Sequence, residues 1–174
     1  MESKSLDIRY ACIHGFYWMI CCAMIGYASV FLLDKGFDNT TIGIVLSISN
    51  ILAVFGQPAV ASYMDKTSRL SLRMLISCIL VVIIGLSLIL SFLSGASIVM
   101  VVLTITVFTL MLTMQPFFNS LTFAFEKNGI HINFGLARGI GSVAYAVMSL
   151  ILGNIVAIFS PELLPFFYVG LSLC

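Results

Sequence analysis

Residues 98–125 read IVMVVLTITVFTLMLTMQPFFNSLTFAF, 28 positions without a single charged side chain. A bilayer's hydrocarbon core is about 30 Å thick, and an α-helix rising about 1.5 Å per residue crosses it in roughly 20 residues. This block is therefore long enough to cross the membrane, and its surplus length requires tilt, a kink or an extension beyond the lipid. Gln115-Pro116 is the expected kink, because proline removes one helix hydrogen bond.

Outward from this block the same pattern repeats. Apolar stretches over about 10–33, 41–64, 70–92 and 134–159 are each long enough to span. A sixth helix is expected from 162 and stops at 174, too short to cross. The expectation is an all-α membrane protein: a six-helix amino-terminal transmembrane domain over 1–174 whose sixth helix is truncated, so that the sequence reads as a fragment. Short polar segments separate the spans. Asp38, Asn39 and Thr40 offer capping oxygens for the second helix, and Ser160-Pro161-Glu162 for the sixth. Hydrophobic residues make up 61% of the chain and charged residues 9%, a balance that a water-soluble core of this size would expose as large apolar patches.

The few basic residues set the orientation. Lys4, Arg9, Lys66, Arg69, Arg73, Lys127 and Arg138 fall on one side of the alternating spans, and Lys35 alone falls on the other. The positive-inside rule then predicts a multi-pass plasma-membrane protein with a cytoplasmic amino terminus. Lys4 and Arg9 precede an apolar run too long for a signal-peptide core. The net charge of +1 gives no reason to expect a nucleic-acid partner.

Chemistry-bearing motifs are sparse. Cys12, Cys21, Cys22, Cys78 and Cys174 lie in apolar stretches without zinc spacing and read as small packing residues. No metal, cofactor or phosphate-binding GxxxxGK[ST] loop is expected, and neither is an enzyme, because no Ser-His-Asp set, HExxH or paired intramembrane acids occur.

Polar residues inside lipid are costly, so they turn toward protein or a wet cavity. Gln115, Asn119, Thr122 and Glu126 fall at i, i+4, i+7 and i+11, one helical stripe. They read either as cavity-lining groups or more plainly: helix–helix hydrogen bonds for Gln115 and Asn119, a backbone bond for Thr122, an interfacial charge for Glu126. His14, Trp18 and Cys21 share a face of the first span, where packing competes with a solute-facing role. Tyr10 reads as an interface anchor. Asn50 and Gln57 read as packing groups on the second span. Gly135-Leu136-Ala137-Arg138-Gly139 contains GxxxG, expected to support close packing within the molecule.

One loop is more particular. Ala61-Ser62-Tyr63-Met64-Asp65-Lys66-Thr67-Ser68-Arg69 resembles the cytoplasmic signature between helices two and three of the major facilitator superfamily: Gly, three residues, Asp, a base, one residue, Gly, a base. Asp65, Lys66 and Arg69 match; Ala61 and Ser68 replace the glycines. Gln57-Pro58, Phe125-Glu126-Lys127 and Asn133-Phe134-Gly135-Leu136-Ala137-Arg138 with Gly141 resemble the lactose permease branch of oligosaccharide:proton symporters. The resemblance covers essentially the whole chain and implies the amino-terminal half of a twelve-helix secondary transporter. It implies a saccharide or similar small polar solute such as a nucleoside, protons as the coupling ion, and a carboxyl-terminal six-helix half as partner within the bilayer. It implies gating roles for Asp65, Lys66 and Arg69, and it places Arg138 in the solute cavity, with snorkelling to the interface as the competing reading. The branch's glutamate on helix four is replaced by Thr122, which leaves Arg138 without that carboxylate; an organic acid would suit such an arginine. The alternative is a non-transporting polytopic module or a degenerate half-transporter.

Overall fold

A computed structural model of the chain describes residues 2–66, 71–126 and 132–173. No strand occurs among the described residues. The elements are α1 (Glu2–Cys21), a wide π turn (Cys22–Gly26), α2 (Ala28–Asp34), α3 (Asn39–Lys66), α4 (Leu72–Phe92), α5 (Ile98–Glu126), α6 (Phe134–Ile158), a 3-10 turn (Pro161–Leu163) and α7 (Leu164–Ser172). Among the described residues, five helical runs are long and apolar enough to cross a membrane: Leu6–Asp34, Asn39–Lys66, Leu72–Phe92, Ile98–Thr122 and Phe134–Ile158.

Side-chain oxygens fix where the helices start. Asp38 accepts from the Thr40 and Thr41 amides at 3.0 and 3.2 Å, opening α3. Ser71 caps α4 through the Met74 amide and Asn133 caps α6 through the Leu136 amide. Each oxygen satisfies an amide that has no partner inside the helix. The end of α2 is closed by Gly36 at φ 90°, with Phe37 N–H on Leu32 O and Gly36 N–H on Leu33 O. Only a residue without Cβ takes that left-handed conformation cheaply.

One expectation changes. The first apolar block is not one uniform α-helix. Its hydrogen bonds widen at Cys22–Gly26, where the Tyr27 amide reaches back five residues to Cys22 O at 3.1 Å. Pro116, the expected kink site, lies inside α5, which continues as α-helix to Glu126, and Pro58 likewise lies inside α3.

The chain divides into two compact units. The first comprises residues 1–27 and 118–174, the second Ala28–Phe117. In the second unit, buried positions repeat at helical spacing: Ile42, Val45, Ser49 and Ala53 on α3, and Ile76, Ile83, Ser87 and Leu90 on α4. The seam between α3 and α5 is close. Gly56 faces Thr113 so tightly that a Cβ would lie 3.1 Å from its hydroxyl, and Gln57 Nε2 donates to Leu112 O at 3.1 Å. With Ser49 O accepting from Thr109 Oγ1, position rises with position along both helices, so α3 and α5 run parallel here. Large apolar side chains cover the outer faces, among them Phe55, Val54, Val81 and Val102, as lipid contact requires.

In the first unit α1 packs mainly on α6. Gly15 meets Ala144, Gly141 meets Trp18, and Tyr27 donates to Ser149 O at 2.6 Å. The order shows that α1 and α6 also run parallel. The GxxxG glycines are not this seam: Gly139 has nothing near its missing Cβ and Gly135 meets only Asn133. The helices approach closely at Gly15, Gly26, Gly141 and Gly153 instead. Parallel helices an even number of spans apart are what alternating passes through a sheet of lipid produce.

Candidate functional site

The first unit brings together His14, Trp18, Thr122 and Arg138, four of the residues that the sequence singles out. α1 carries Tyr10, His14 and Trp18 at i, i+4 and i+8, one face of the helix. α6 answers with Phe134, Arg138, Gly141 and Tyr145, also one face.

The guanidinium of Arg138 lies over the Trp18 ring, 4.2 Å from its centroid. Gly141 makes this possible. A Cβ there would lie 2.5 Å from Trp18 Cδ1 and 3.2 Å from Nε1. Tyr145 meets the indole edge-on at 6.2 Å and Tyr17 at 5.7 Å. One turn earlier His14 and Phe134 pair edge-to-face at 6.0 Å. Both Trp18 and Arg138 are half-buried.

Below this stack lies a dry hydrogen-bonded cluster. Tyr10 Oη donates to Phe118 O at 3.2 Å and accepts from Thr122 Oγ1 at 2.6 Å. His14 Nε2 sits 2.9 Å from the same oxygen. A phenol has one proton, and Phe118 takes it, so His14 Nε2 donates and its Nδ1 is the bare acceptor. That Nδ1 is buried and has no partner among the described residues. Tyr10 is therefore a core residue, 2% exposed, and not the interface anchor its position suggested. Its hydroxyl needs three partners, and the bundle interior supplies them.

Thr122 is buried, and its hydroxyl bonds Tyr10 rather than its own backbone or a cavity. Gln115, Asn119 and Thr122 all lie on the continuous helix α5, Gln115 within the second unit and Asn119 and Thr122 within the first. Gln115 and Asn119 are half-buried, and neither side chain is hydrogen-bonded among the described residues. Asn50 bonds its own helix at Leu46 O, while Gln57 crosses to Leu112 O. Cys21 and Cys22 are buried, Cys12 and Cys78 exposed; all are free thiols. Asp65 and Lys66 end α3 in exposed positions. Arg69, Ser68, Lys127, Cys174 and the Glu126 side chain lie outside the described residues. Tyr10, Tyr17, Gly141 and Tyr145 were not singled out from sequence as site residues, although the spacings 10/14/18 and 138/141/145 carry the signal.

The electrostatics centre on Arg138. The apolar stretches 10–33, 98–125, 134–158 and 164–173 contain no other charged residue. Placing an arginine at the middle of a membrane helix costs about 2.5–3.5 kcal/mol, and less near an end. Stacking on an indole returns about 0.5–2 kcal/mol. The stack thus offsets only part of the cost. Outside the spans, Asp38 is held below the usual carboxylate range, first by the Thr41 hydroxyl and then by the Thr41 and Thr40 amides.

The family model described as the MFS_1 like family matches residues 8–174. No curated protein and no solved structure gives a match. The match fits a chain of long apolar helices that could each cross a membrane. The chain belongs to the MFS_1 like family, a multi-pass, transporter-type membrane protein of the major facilitator superfamily rather than an enzyme.

Proposed function

We propose that this chain forms the amino-terminal half of a secondary active transporter. It moves a small polar solute, a saccharide or nucleoside in the first instance, by alternating access: two helical bundles rock about a central site. The observation that carries the reading is the Arg138–Trp18 stack on adjoining faces of α1 and α6. A half-buried cation on a helix with no other charged residue is a residue for contact with cargo. Asn119 lies on the neighbouring α5 as a second polar contact, with Gln115 a further turn away. Thr122, His14 and Tyr10 hold the floor of the site rather than touch solute. Proton-coupled symport is the expectation from the lactose permease resemblance. Asp65, Lys66 and Arg69 act in gating, the plasma membrane is the location, and the amino terminus faces the cytoplasm. The parallel course of α1 and α6 supports placing the amino terminus and the loop before Phe134 on one side.

The test is solute binding by the full-length protein in detergent. Equilibrium dialysis against labelled sugars, nucleosides and organic acids should find at least one ligand. Arg138→Ala should insert normally and lose that binding. Undiminished binding would remove Arg138 from the site.

A further inference from the structure

We infer that α5 is hinged at Pro116 and that Gln57 of α3 is the latch that holds the hinge closed. Neither role depends on which solute is carried, so both stand apart from the Arg138–Trp18 site.

The weak point is covalent in origin. Proline has no N–H, so Pro116 cannot donate to the carbonyl four residues back in α5, Leu112 O. A backbone carbonyl left unpaired among apolar helices is costly. Gln57 supplies a donor from the neighbouring helix, with its Nε2 at 3.1 Å from Leu112 O. The carbonyl that accepts from α3 is thus the one that the proline leaves open. The seam is narrow here: a Cβ on Gly56, the residue before Gln57, would stand 3.1 Å from Thr113 Oγ1. One side-chain bond therefore stands in for one backbone bond. A glutamine can swing away by rotating about its own side-chain bonds, which a backbone amide cannot do without unwinding the helix.

The anchors of α5 change at the same place. Before Pro116 the helix is tied to α3, through Thr109 Oγ1 on Ser49 O at 3.4 Å and through the Gln57 bond. After Pro116 it is tied to α1, where Tyr10 Oη donates to Phe118 O and accepts from Thr122 Oγ1. The second compact unit ends at Phe117, one residue past the proline. A helix weakened at one residue, and held by a different neighbour on each side of it, has its bending point there. Gln115 and Asn119 lie on opposite sides of that point, so bending alters the spacing between them.

The test is amide hydrogen exchange of the full-length protein in detergent. It compares residues 117–120, just past the proline, with residues 102–108 of the same helix. Loss of one hydrogen bond of ordinary strength speeds local opening by about tenfold. Gln57→Ala is expected to show that rise at 117–120 and none at 102–108. Adding Pro116→Ala should restore the wild-type rate, because the new alanine amide donates to Leu112 O and the latch is no longer needed. Pro116→Ala alone should slow exchange at 117–120 below wild type. Gln57→Met, which keeps the bulk without the donor, is read in the same way where Gln57→Ala does not fold. Exchange at 117–120 no faster in the Gln57 variants overturns the latch. An equal rise along all of α5 marks general destabilisation and overturns the hinge. A rise that persists after Pro116→Ala is added places the action of Gln57 elsewhere and overturns the pairing of the two. Should neither Gln57 variant fold, Pro116→Ala decides, and exchange at 117–120 that stays at the wild-type rate overturns the hinge.

Discussion

The guanidinium of Arg138 is stacked on the indole of Trp18 at 4.2 Å, and the glycine one turn along α6, Gly141, is what lets the ring lie there. The relationship ties a packing requirement to a charge. The helix seam must be narrow at one residue for the Arg138 cation to be held in place.

Gly141→Ala should break that link. The added methyl would meet Trp18 Cδ1 at 2.5 Å, inside any real contact, and the opposing atom belongs to a rigid ring. Overpacking of this kind costs about 1–3 kcal/mol. A lower unfolding temperature in detergent and a shifted Trp18 emission maximum are expected. An unchanged spectrum would mean that Gly141 does not seat the indole.

The Tyr10 cluster should behave as one unit. Tyr10→Phe leaves the Thr122 hydroxyl, the His14 N–H and the Phe118 carbonyl short of partners in a dry site, a loss of about 1–3 kcal/mol. Thr122→Val removes one donor and should cost less. Contacting residues of this type couple by about 0.5–3 kcal/mol, so the double variant should be less destabilised than the sum. Strict additivity of the two unfolding free energies would show that the hydroxyls act independently.

The fold was readable because lipid enforces a single rule, that backbone polar groups be satisfied within long apolar helices. That rule is visible in residues 98–125 alone. The caps at Asp38 and Ser160 were legible for the same local reason. Sequence failed where neighbours decide. Tyr10 near a chain end looks like an interface anchor until α5 brings Phe118 and Thr122 against it. GxxxG at Gly135 and Gly139 has the right spacing, but those glycines face away from α1, and the contact falls to Gly141. The π turn at Cys22–Gly26 has no period to announce it. Arg138 was identified from its motif and from the cost of its charge, yet its partner Trp18 became evident only with the register of α1 against α6.

Acid should weaken the start of α3. The carboxyl of Asp38 is held below its unfolded value by Thr41 and Thr40. A depressed carboxyl stabilises the fold above its unfolded pKa and loses that contribution as pH falls through the folded one. Amide protection at Thr40 and Thr41 should therefore hold at neutral pH and fall in acid below the ordinary carboxylate range. Asp38→Asn, which still caps, should remove this pH dependence. Protection that falls equally in both proteins would assign it to another group.

Topology gives a direct check of orientation. Ala96→Cys, in the exposed turn after α4, should react with an impermeant maleimide from outside intact cells, and Ser68→Cys only after permeabilisation. Lys35 is a poor choice for labelling, since it is buried against Phe31. The opposite pattern would invert every side assigned here.

The central claim is that Arg138, set on Trp18, meets cargo inside the lipid-spanning bundle. Solute uptake into proteoliposomes by the full-length protein, compared between wild type and Arg138→Ala at equal incorporation, tests it most directly. The account predicts at least a tenfold loss of uptake in the variant. Uptake at the wild-type rate would contradict it.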